Sequence, residues 1–137
     1  MPASLTVAPL TVAIVEDDDL VAIALAAMLE RAGATVVAAA HTYEDAITLV
    51  ESGPRCAVVF VDLTLHGQPT GIDVARRAAR AGLAVVIVTG GGPLTDELPG
   101  AALLEKPFSA EHVRAILDWI RRGAGAGRGE GVAADTP

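Results

Sequence analysis

The stretch Cys56–Asp62, with the sequence CAVVFVD, decides the fold, because six apolar residues run without interruption into a carboxylate. An unbroken apolar run of this length, rich in valine, indicates a strand covered on both faces, as in a parallel sheet. A second apolar run, Leu10–Val15, also ends in acids, beginning with Glu16 and Asp17. The carboxyl ends of the strands in an open parallel sheet share one rim, where ligands bind. We therefore expect the acids after these two runs to lie close together.

Short β-rich runs alternate with helical patterns along the chain. The predicted strands lie at about 10–15, 34–39, 56–61, 84–88 and 101–104, and the predicted helices at about 19–32, 43–52, 71–81 and 110–122. This alternation is typical of βαβ units. It predicts an α/β fold with a doubly wound, five-stranded parallel sheet.

Several helix starts carry capping signals. Thr42 and Thr70 are each followed three residues later by an aspartate, a spacing that resembles a capping box. Ser109 precedes the last helix and is a candidate N-cap, and Asp18 and Asp19 are interpreted as capping residues of the first helix.

One crossover is unusually short. Thr89–Gly100 contains 12 residues, including three consecutive glycines at 90–92 and prolines at 93 and 99. A parallel crossover needs about a dozen residues or more and usually contains a helix. We therefore predict that the fourth helix of the fold, near residues 94–98, is shortened or missing.

Length and composition limit the function classes. The 137 residues are 52% hydrophobic, which supports one packed domain, predicted at 10–122 between an N-terminal extension (1–9) and a flexible Gly/Ala-rich tail (123–137). Seventeen acids against ten bases give a net charge of −7, which disfavours nucleic acid as a partner. No membrane span or basic signal peptide is evident in the sequence, so we expect a cytoplasmic protein.

Polar groups at four predicted strand ends define the candidate site. Glu16, Asp17 and Asp62 carry a formal charge of about −3, which Lys106 and one Mg²⁺ would cancel. Mg²⁺ accepts one or two carboxylates and keeps several waters. A carboxylate can also attack phosphorus, and a metal, a lysine and a hydroxyl such as that of Thr89 are suitable groups to stabilise the charge that develops.

Four motifs lie at the strand ends in the order found in one known family. Through them the chain resembles the receiver domain of two-component response regulators, of the stand-alone type similar to chemotaxis regulators. These motifs are Val15-Glu16-Asp17-Asp18, Val61-Asp62-Leu63-Thr64-Leu65, Val88-Thr89-Gly90 and Lys106-Pro107-Phe108. The resemblance covers about residues 10–122. It implies a flavodoxin-like strand order 2-1-3-4-5, with the site at the topological switch point.

The resemblance also implies a role for each site residue. Asp62 would be the phosphoacceptor, and Lys106 would pair with it and then with the phosphoryl group. Asp17 would bind Mg²⁺ directly, Glu16 largely through water, and Thr64 through its backbone carbonyl. The hydroxyl of Thr89 would move to a phosphoryl oxygen as the switch. The Lys106–Pro107 peptide is usually cis in this family.

The chain departs from the family pattern at the surface through which receivers of this family pass on their signal. Leu103 occupies the position of a frequent aromatic switch residue, Gly90 replaces a usual alanine, and the fourth helix is predicted to be shortened. Many receivers dimerise or dock through this surface. His66 is interpreted either as a solvated loop residue or as a residue that tunes phosphoryl lifetime, whereas His41 is interpreted as surface or packing.

We hypothesise a single-domain response regulator, not an enzyme. It would accept phosphate from a histidine kinase or a histidine phosphotransfer protein and act on an unknown downstream protein or as a phosphate shuttle or sink. The alternative is a receiver-fold interaction module that works without obligatory phosphorylation. A Mg²⁺-dependent phosphatase with an aspartate nucleophile would require a second acid at position 64, where this chain has threonine.

Overall fold

The computed structural model describes residues 9–52, 56–91, 98–123 and 132–133. The predicted N-terminal extension lies outside the described residues except for Pro9. The predicted short helix near residues 94–98, apart from Leu98, and most of the predicted tail also lie outside them. None of the helices in the described part of the chain has the length and apolar character needed to cross a bilayer.

The strands form one parallel sheet. Their order is β2-β1-β3-β4-β5-β6, so the predicted order of the first five is confirmed. The strands are β1 (Leu10–Val15), β2 (Ala34–Ala40), β3 (Val58–Asp62), β4 (Ala84–Thr89), β5 (Ala102–Glu105) and β6 (Val132–Ala133).

The two-residue strand β6 was not predicted from the sequence. Val132 pairs with Ala102 and Ala133 with Leu103, which adds a parallel strand to the outer edge of β5. An edge strand presents unpaired backbone groups that another extended segment can bind. A two-residue strand is too short to produce a periodic pattern, so the sequence contains no signal for it.

Four helices cover the two faces of the sheet. They are α1 (Asp19–Arg31), α2 (Tyr43–Glu51), α3 (Gly71–Arg80) and α4 (Ala110–Arg121). Residues of α1 and α4 pack with Phe60 in one buried cluster, whereas residues of α2 and α3 pack with Val59 and Val61 in the other. The side chains of β3 therefore alternate between two apolar layers, which confirms the doubly wound architecture.

The strand register aligns the candidate residues along the carboxyl rim of the sheet. Val15, which precedes the acidic segment, pairs with Val61, and Asp62 pairs with Val88. Thr89 pairs with Glu105, which precedes Lys106. The chain order changes direction between β1 and β3, so these residues lie at the topological switch point.

Three of the predicted helix caps are present. The side chains of Asp18 and Thr42 accept hydrogen bonds from backbone N–H groups of the first helical turn. Ser109 and His112 form a reciprocal capping box at the start of α4. A cap satisfies N–H groups that have no partner within the helix.

The predicted capping box at Thr70 is wrong. Thr70 has a helical backbone, with φ −82° and ψ −10°, and its side chain makes no cap hydrogen bond. The predicted partner of Thr70, Asp73, accepts hydrogen bonds from Tyr43 and Arg77 instead. This tertiary contact between α2 and α3 outweighs the local capping preference.

Gly71 permits α3 to begin directly against β3. A Cβ atom at this position would overlap the backbone carbonyl oxygen of Asp62 and lie 2.7 Å from the Cα atom of Leu63. Because both obstacles are backbone, a rotamer change cannot relieve the overlap.

Gly71→Ala should therefore lower the free energy of unfolding by about 1–3 kcal/mol or more, through strain between α3 and β3. Urea denaturation measures this change. Gly90→Ala is the matched control, since a Cβ atom there meets nothing within 4 Å. Equal stability of the two variants would contradict the proposed steric role of Gly71.

Candidate functional site

Three carboxylates converge at the rim between β1 and β3. Glu16, Asp17 and Asp62 each offer an oxygen within 4.8 Å of the others. The side chains of Glu16 and Asp62 are only 3% and 7% exposed. Burial and mutual repulsion both oppose three negative charges in this volume. The convergence predicted from the two strand ends is therefore present.

Lys106 supplies a positive charge to two of these acids. Its Nζ lies 2.8 Å from Oδ2 of Asp62 and 3.2 Å from Oε1 of Glu16. The Lys106 backbone N–H donates to the carbonyl of Thr89 at 2.8 Å, so the end of β4 holds this segment in place. The Lys106–Pro107 peptide is cis, as the resemblance implied. Lys106 is also the only lysine in the sequence.

The second oxygen of Asp62 is held by the following loop. Oδ1 accepts a hydrogen bond of 2.9 Å from the backbone N–H of Thr64. The Asp62 carboxylate is thus oriented from both sides, by Lys106 and by its own loop. A carboxylate has about four lone-pair positions, so both oxygens can still accept further partners. The metal ligation by the Thr64 carbonyl remains a prediction.

Thr89 lies one residue beyond Val88, the strand partner of Asp62. The threonine is buried, with 7% of its surface exposed, and its hydroxyl accepts a weak hydrogen bond of 3.3 Å from the N–H of Gly91. Leu103, at the position of the frequent aromatic switch residue, is partly buried against the cluster formed with α2 and α3. The side chains of Thr89 and Leu103 are thus on adjacent strands near the same rim.

Asp17 is the most accessible of the three acids, with 25% of its side chain exposed. Burial acts to raise the pKa of Asp17, but hydrogen bonds outweigh this effect and hold the pKa below its usual value. The first of these is the backbone N–H of His66, which lies 2.8 Å from Oδ2. Asp17 is therefore ionised at neutral pH and available as a cation ligand.

The pKa of Glu16 is raised well above its ordinary value. Burial is the main cause that raises its pKa to about 7, and the negative charge of Asp62 acts in the same direction. Hydrogen bonds from the Asp18 N–H and from Lys106 act in the opposite direction without restoring the ordinary value. One lysine is thus insufficient to balance all three carboxylates.

The residues present fit a divalent cation. The donors are carboxylate oxygens, which Mg²⁺ prefers, and a cation would neutralise the negative charge of Asp62, which adds to the effect of burial on the pKa of Glu16. Asp17 and Asp62 are the candidate oxygen ligands for such a cation. The pKa of Lys106 is raised, because its contacts with Asp62 and Glu16 outweigh its burial, so the lysine stays charged beside the cation site.

The contacts of two histidines at the site were not predicted from the sequence. The Nδ1 atom of His41 lies 2.9 Å from the backbone carbonyl of Glu16, and Nε2 of His66 lies 3.0 Å from the backbone carbonyl of His41. His66 lies in a loop with 62% of its side chain exposed, and its ring also contacts this carbonyl oxygen. Its position before Gly67, in a loop that follows a strand, was the available signal.

The raised pKa of Glu16 predicts a pH dependence of stability in metal-free protein. Because its folded pKa of about 7 exceeds the ordinary value of 4.5, the folded state binds more protons between these pH values. The free energy of unfolding should therefore fall as pH rises through this window. The difference between wild type and Glu16→Gln, measured by urea denaturation in EDTA, isolates this effect from other titrating groups. A difference that stays constant from pH 4.5 to 7.5 would contradict it.

Comparison with known proteins agrees with this geometry. Residues 12–118 match the family model described as the response regulator receiver domain. The chain is 30% identical over 108 residues to the phyllosphere-induced regulator PhyR of Methylorubrum extorquens. The match covers 76% of this chain and 40% of PhyR, so the chain corresponds to less than half of that relative.

Solved structures show the same fold. A response regulator receiver protein from Sinorhizobium medicae superposes with a TM-score of 0.76 at 22% identity, covering 87% of this chain and 99% of that one. SdrG from Sphingomonas melonis gives 0.70 at 28% identity, covering 82% and 97%. PhyR from Brucella abortus gives 0.70 at 28% identity, covering 86% and 47%. The chain therefore belongs to the response regulator receiver domains, the signalling modules of two-component systems.

Proposed function

We propose that this receiver domain accepts a phosphoryl group on Asp62 in a Mg²⁺-dependent reaction. The observation that carries the proposal is the contact of Asp62 with Lys106 Nζ, at 2.8 Å, beside two further acids. Lys106 and the Thr64 N–H hold the carboxylate from both sides, which fixes the direction from which it meets a donor. A fixed nucleophile removes part of the entropic cost of the reaction.

The proposed reaction transfers phosphorus from nitrogen to oxygen. An oxygen of Asp62 forms a bond to the phosphorus of a phosphorylated histidine, while the phosphorus–nitrogen bond breaks. The electron pair of that bond leaves on the imidazole nitrogen, which takes a proton from solvent. The products are an aspartyl phosphate and a neutral histidine on the donor.

The surrounding charges account for how this reaction can occur at an acidic site. A dianionic phosphoryl group would otherwise be repelled by Glu16 and Asp17. Bound Mg²⁺ would supply positive charge for the phosphoryl oxygens, with Asp17 and Asp62 as ligands and Glu16 acting largely through water. Lys106 already touches Asp62 and can bond an incoming phosphoryl oxygen without moving far.

Thr89 is the proposed switch residue. Its hydroxyl is buried at the end of β4 and is held only by the long hydrogen bond from Gly91. A phosphoryl oxygen on Asp62 is a stronger acceptor for this hydroxyl than any neutral group, because it is charged. Movement of Thr89 would convert phosphorylation into a change at the rim next to Leu103.

The proposed partners are proteins. The donor would be a histidine kinase or a histidine phosphotransfer protein, and the recipient of the signal a downstream protein contacted by the receiver surface. The net charge of −7 supports neither nucleic acid nor an anionic membrane as a partner. A role as phosphate shuttle or sink, in the cytoplasm, is compatible with the same chemistry.

Incubation with acetyl phosphate and Mg²⁺ should add one phosphoryl group to the wild-type protein, detected by intact-mass spectrometry. Asp62→Asn should take up none, because an amide oxygen is not a nucleophile for phosphorus. Asp118→Asn is the matched control, since Asp118 is an exposed acid of α4 next to Arg121. An adduct on Asp62→Asn would contradict the assignment. A wild type that binds Mg²⁺ but forms no adduct would favour the alternative, a phosphorylation-independent interaction module.

Lys106→Ala should slow phosphorylation of Asp62 by about 100-fold or more at saturating Mg²⁺, because a positioned donor to the phosphoryl oxygens is lost. Phos-tag electrophoresis over a time course measures the rate. Arg114→Ala, which removes an exposed cation of α4, should react at the wild-type rate. A Lys106→Ala rate close to wild type would show that Mg²⁺ alone supplies the required charge.

A further inference from the structure

His66 has an unusual backbone conformation for its residue type. Its φ is +51°, and it is the one residue other than glycine with a positive φ among the described residues. Histidine is one of the few side chains that tolerate this left-handed region, but the conformation still costs free energy. Gly67 follows with φ +76°, so two consecutive residues turn the loop after β3 in the same sense. Such a conformation persists only where surrounding contacts hold it.

Hydrogen bonds hold both the backbone and the imidazole of His66. Its backbone N–H donates to Oδ2 of Asp17 at 2.8 Å. Its Nε2 lies 3.0 Å from the carbonyl oxygen of His41. A carbonyl oxygen can only accept, so this contact requires a proton on Nε2. The Nδ1 atom then faces Oδ2 of Asp17 at 4.0 Å.

The second histidine continues the same chain of bonds. The Nδ1 atom of His41 lies 2.9 Å from the carbonyl oxygen of Glu16, so here Nδ1 carries the proton. The bonds run from Glu16 to His41, from His41 to His66, and from His66 to Asp17. Since Glu16 and Asp17 are neighbours in sequence, the bonds form a closed ring. This ring joins the loops after β1, β2 and β3, which surround the acidic cluster.

We propose that His66 is a positioning residue, whose imidazole anchors its loop to His41 so that its backbone N–H orients Asp17 toward the metal site. The inference rests on the proposed function in treating Asp17 as a Mg²⁺ ligand. The N–H holds Oδ2 of Asp17, so one oxygen of the carboxylate has a fixed partner. The ring orients Asp17 before any cation arrives, so less ordering is required on binding.

The exposure of His66 does not argue against this role. The exposed part of the ring faces solvent, while Nε2 and the backbone N–H are both engaged. Replacing a residue that orients a metal ligand typically weakens metal affinity by about 10- to 100-fold. The structure thus predicts an effect on Mg²⁺ affinity from a residue that donates no ligand atom.

The test is the affinity of the unphosphorylated protein for Mg²⁺, measured by isothermal titration calorimetry and, with Mn²⁺, by EPR of the free ion. His66→Gly keeps the N–H and the positive φ but loses the imidazole, and it should bind Mg²⁺ about 10-fold or more weakly. His66→Gln carries an amide N–H at a reach similar to Nε2 and should recover most of the affinity. Gln68→Ala, an exposed position in the same loop, should match wild type.

Measuring Mg²⁺ affinity separately from the phosphorylation rate distinguishes a positioning role of His66 from a general loss of structure. For His66→Gly, the Mg²⁺ concentration that gives half the maximal phosphorylation rate should rise with the dissociation constant, while the rate at saturating Mg²⁺ changes little. Urea denaturation in EDTA checks that the variant is folded.

Two results would overturn the inference. One is an affinity of His66→Gly within about twofold of wild type, and the other is a His66→Gln variant that binds no more tightly than His66→Gly. Failure of the proposed function is a separate outcome, because it requires that wild type bind Mg²⁺ and yet form no adduct on Asp62.

Discussion

The repulsion between Glu16, Asp17 and Asp62 is the constraint on which the site depends. Two of these carboxylates are almost fully buried, and Lys106 reaches both of them. One ammonium group cannot balance three carboxylates, and burial together with the negative charge of Asp62 raises the pKa of Glu16 to about 7 despite the contact with Lys106. A divalent cation would complete the balance, and the phosphoryl group of the proposed reaction could then enter a site whose charge has been neutralised. The proposed phosphoryl transfer at an acidic site is therefore explained only if a cation binds there.

The sheet is what brings these groups together. β1 and β3 are neighbours although 42 residues lie between Val15 and Val58, and β5 follows two strands further along. The ends of β1, β3, β4 and β5 deliver the site groups to the same rim, and Gly71 allows α3 to begin against the carbonyl of Asp62. Apolar packing on both faces holds the strands, so the energetic cost of the charged rim is offset by the core beneath it.

Much of this arrangement could be predicted from the sequence, because the signals were local. The valine-rich runs and the acids that end them predicted the strands and the convergence of Asp62 with Glu16 and Asp17, and the resemblance to receiver domains implied the strand order. The contacts that the sequence did not reveal are tertiary. Asp73 bonds Tyr43 of α2, and also Arg77 of its own helix, instead of capping α3. The ring of His41 and His66 depends on three loops that are distant in sequence, and β6 is too short to leave a pattern.

The central claim is that the cluster requires a cation in addition to Lys106, and the most direct measurement is the pKa of the Glu16 carboxyl group. NMR of ¹³C-labelled protein gives this pKa with and without Mg²⁺. The account predicts a pKa of about 7 in EDTA and a clearly lower pKa when Mg²⁺ is bound. A Glu16 that titrates near its ordinary value in EDTA, with no response to Mg²⁺, would contradict it.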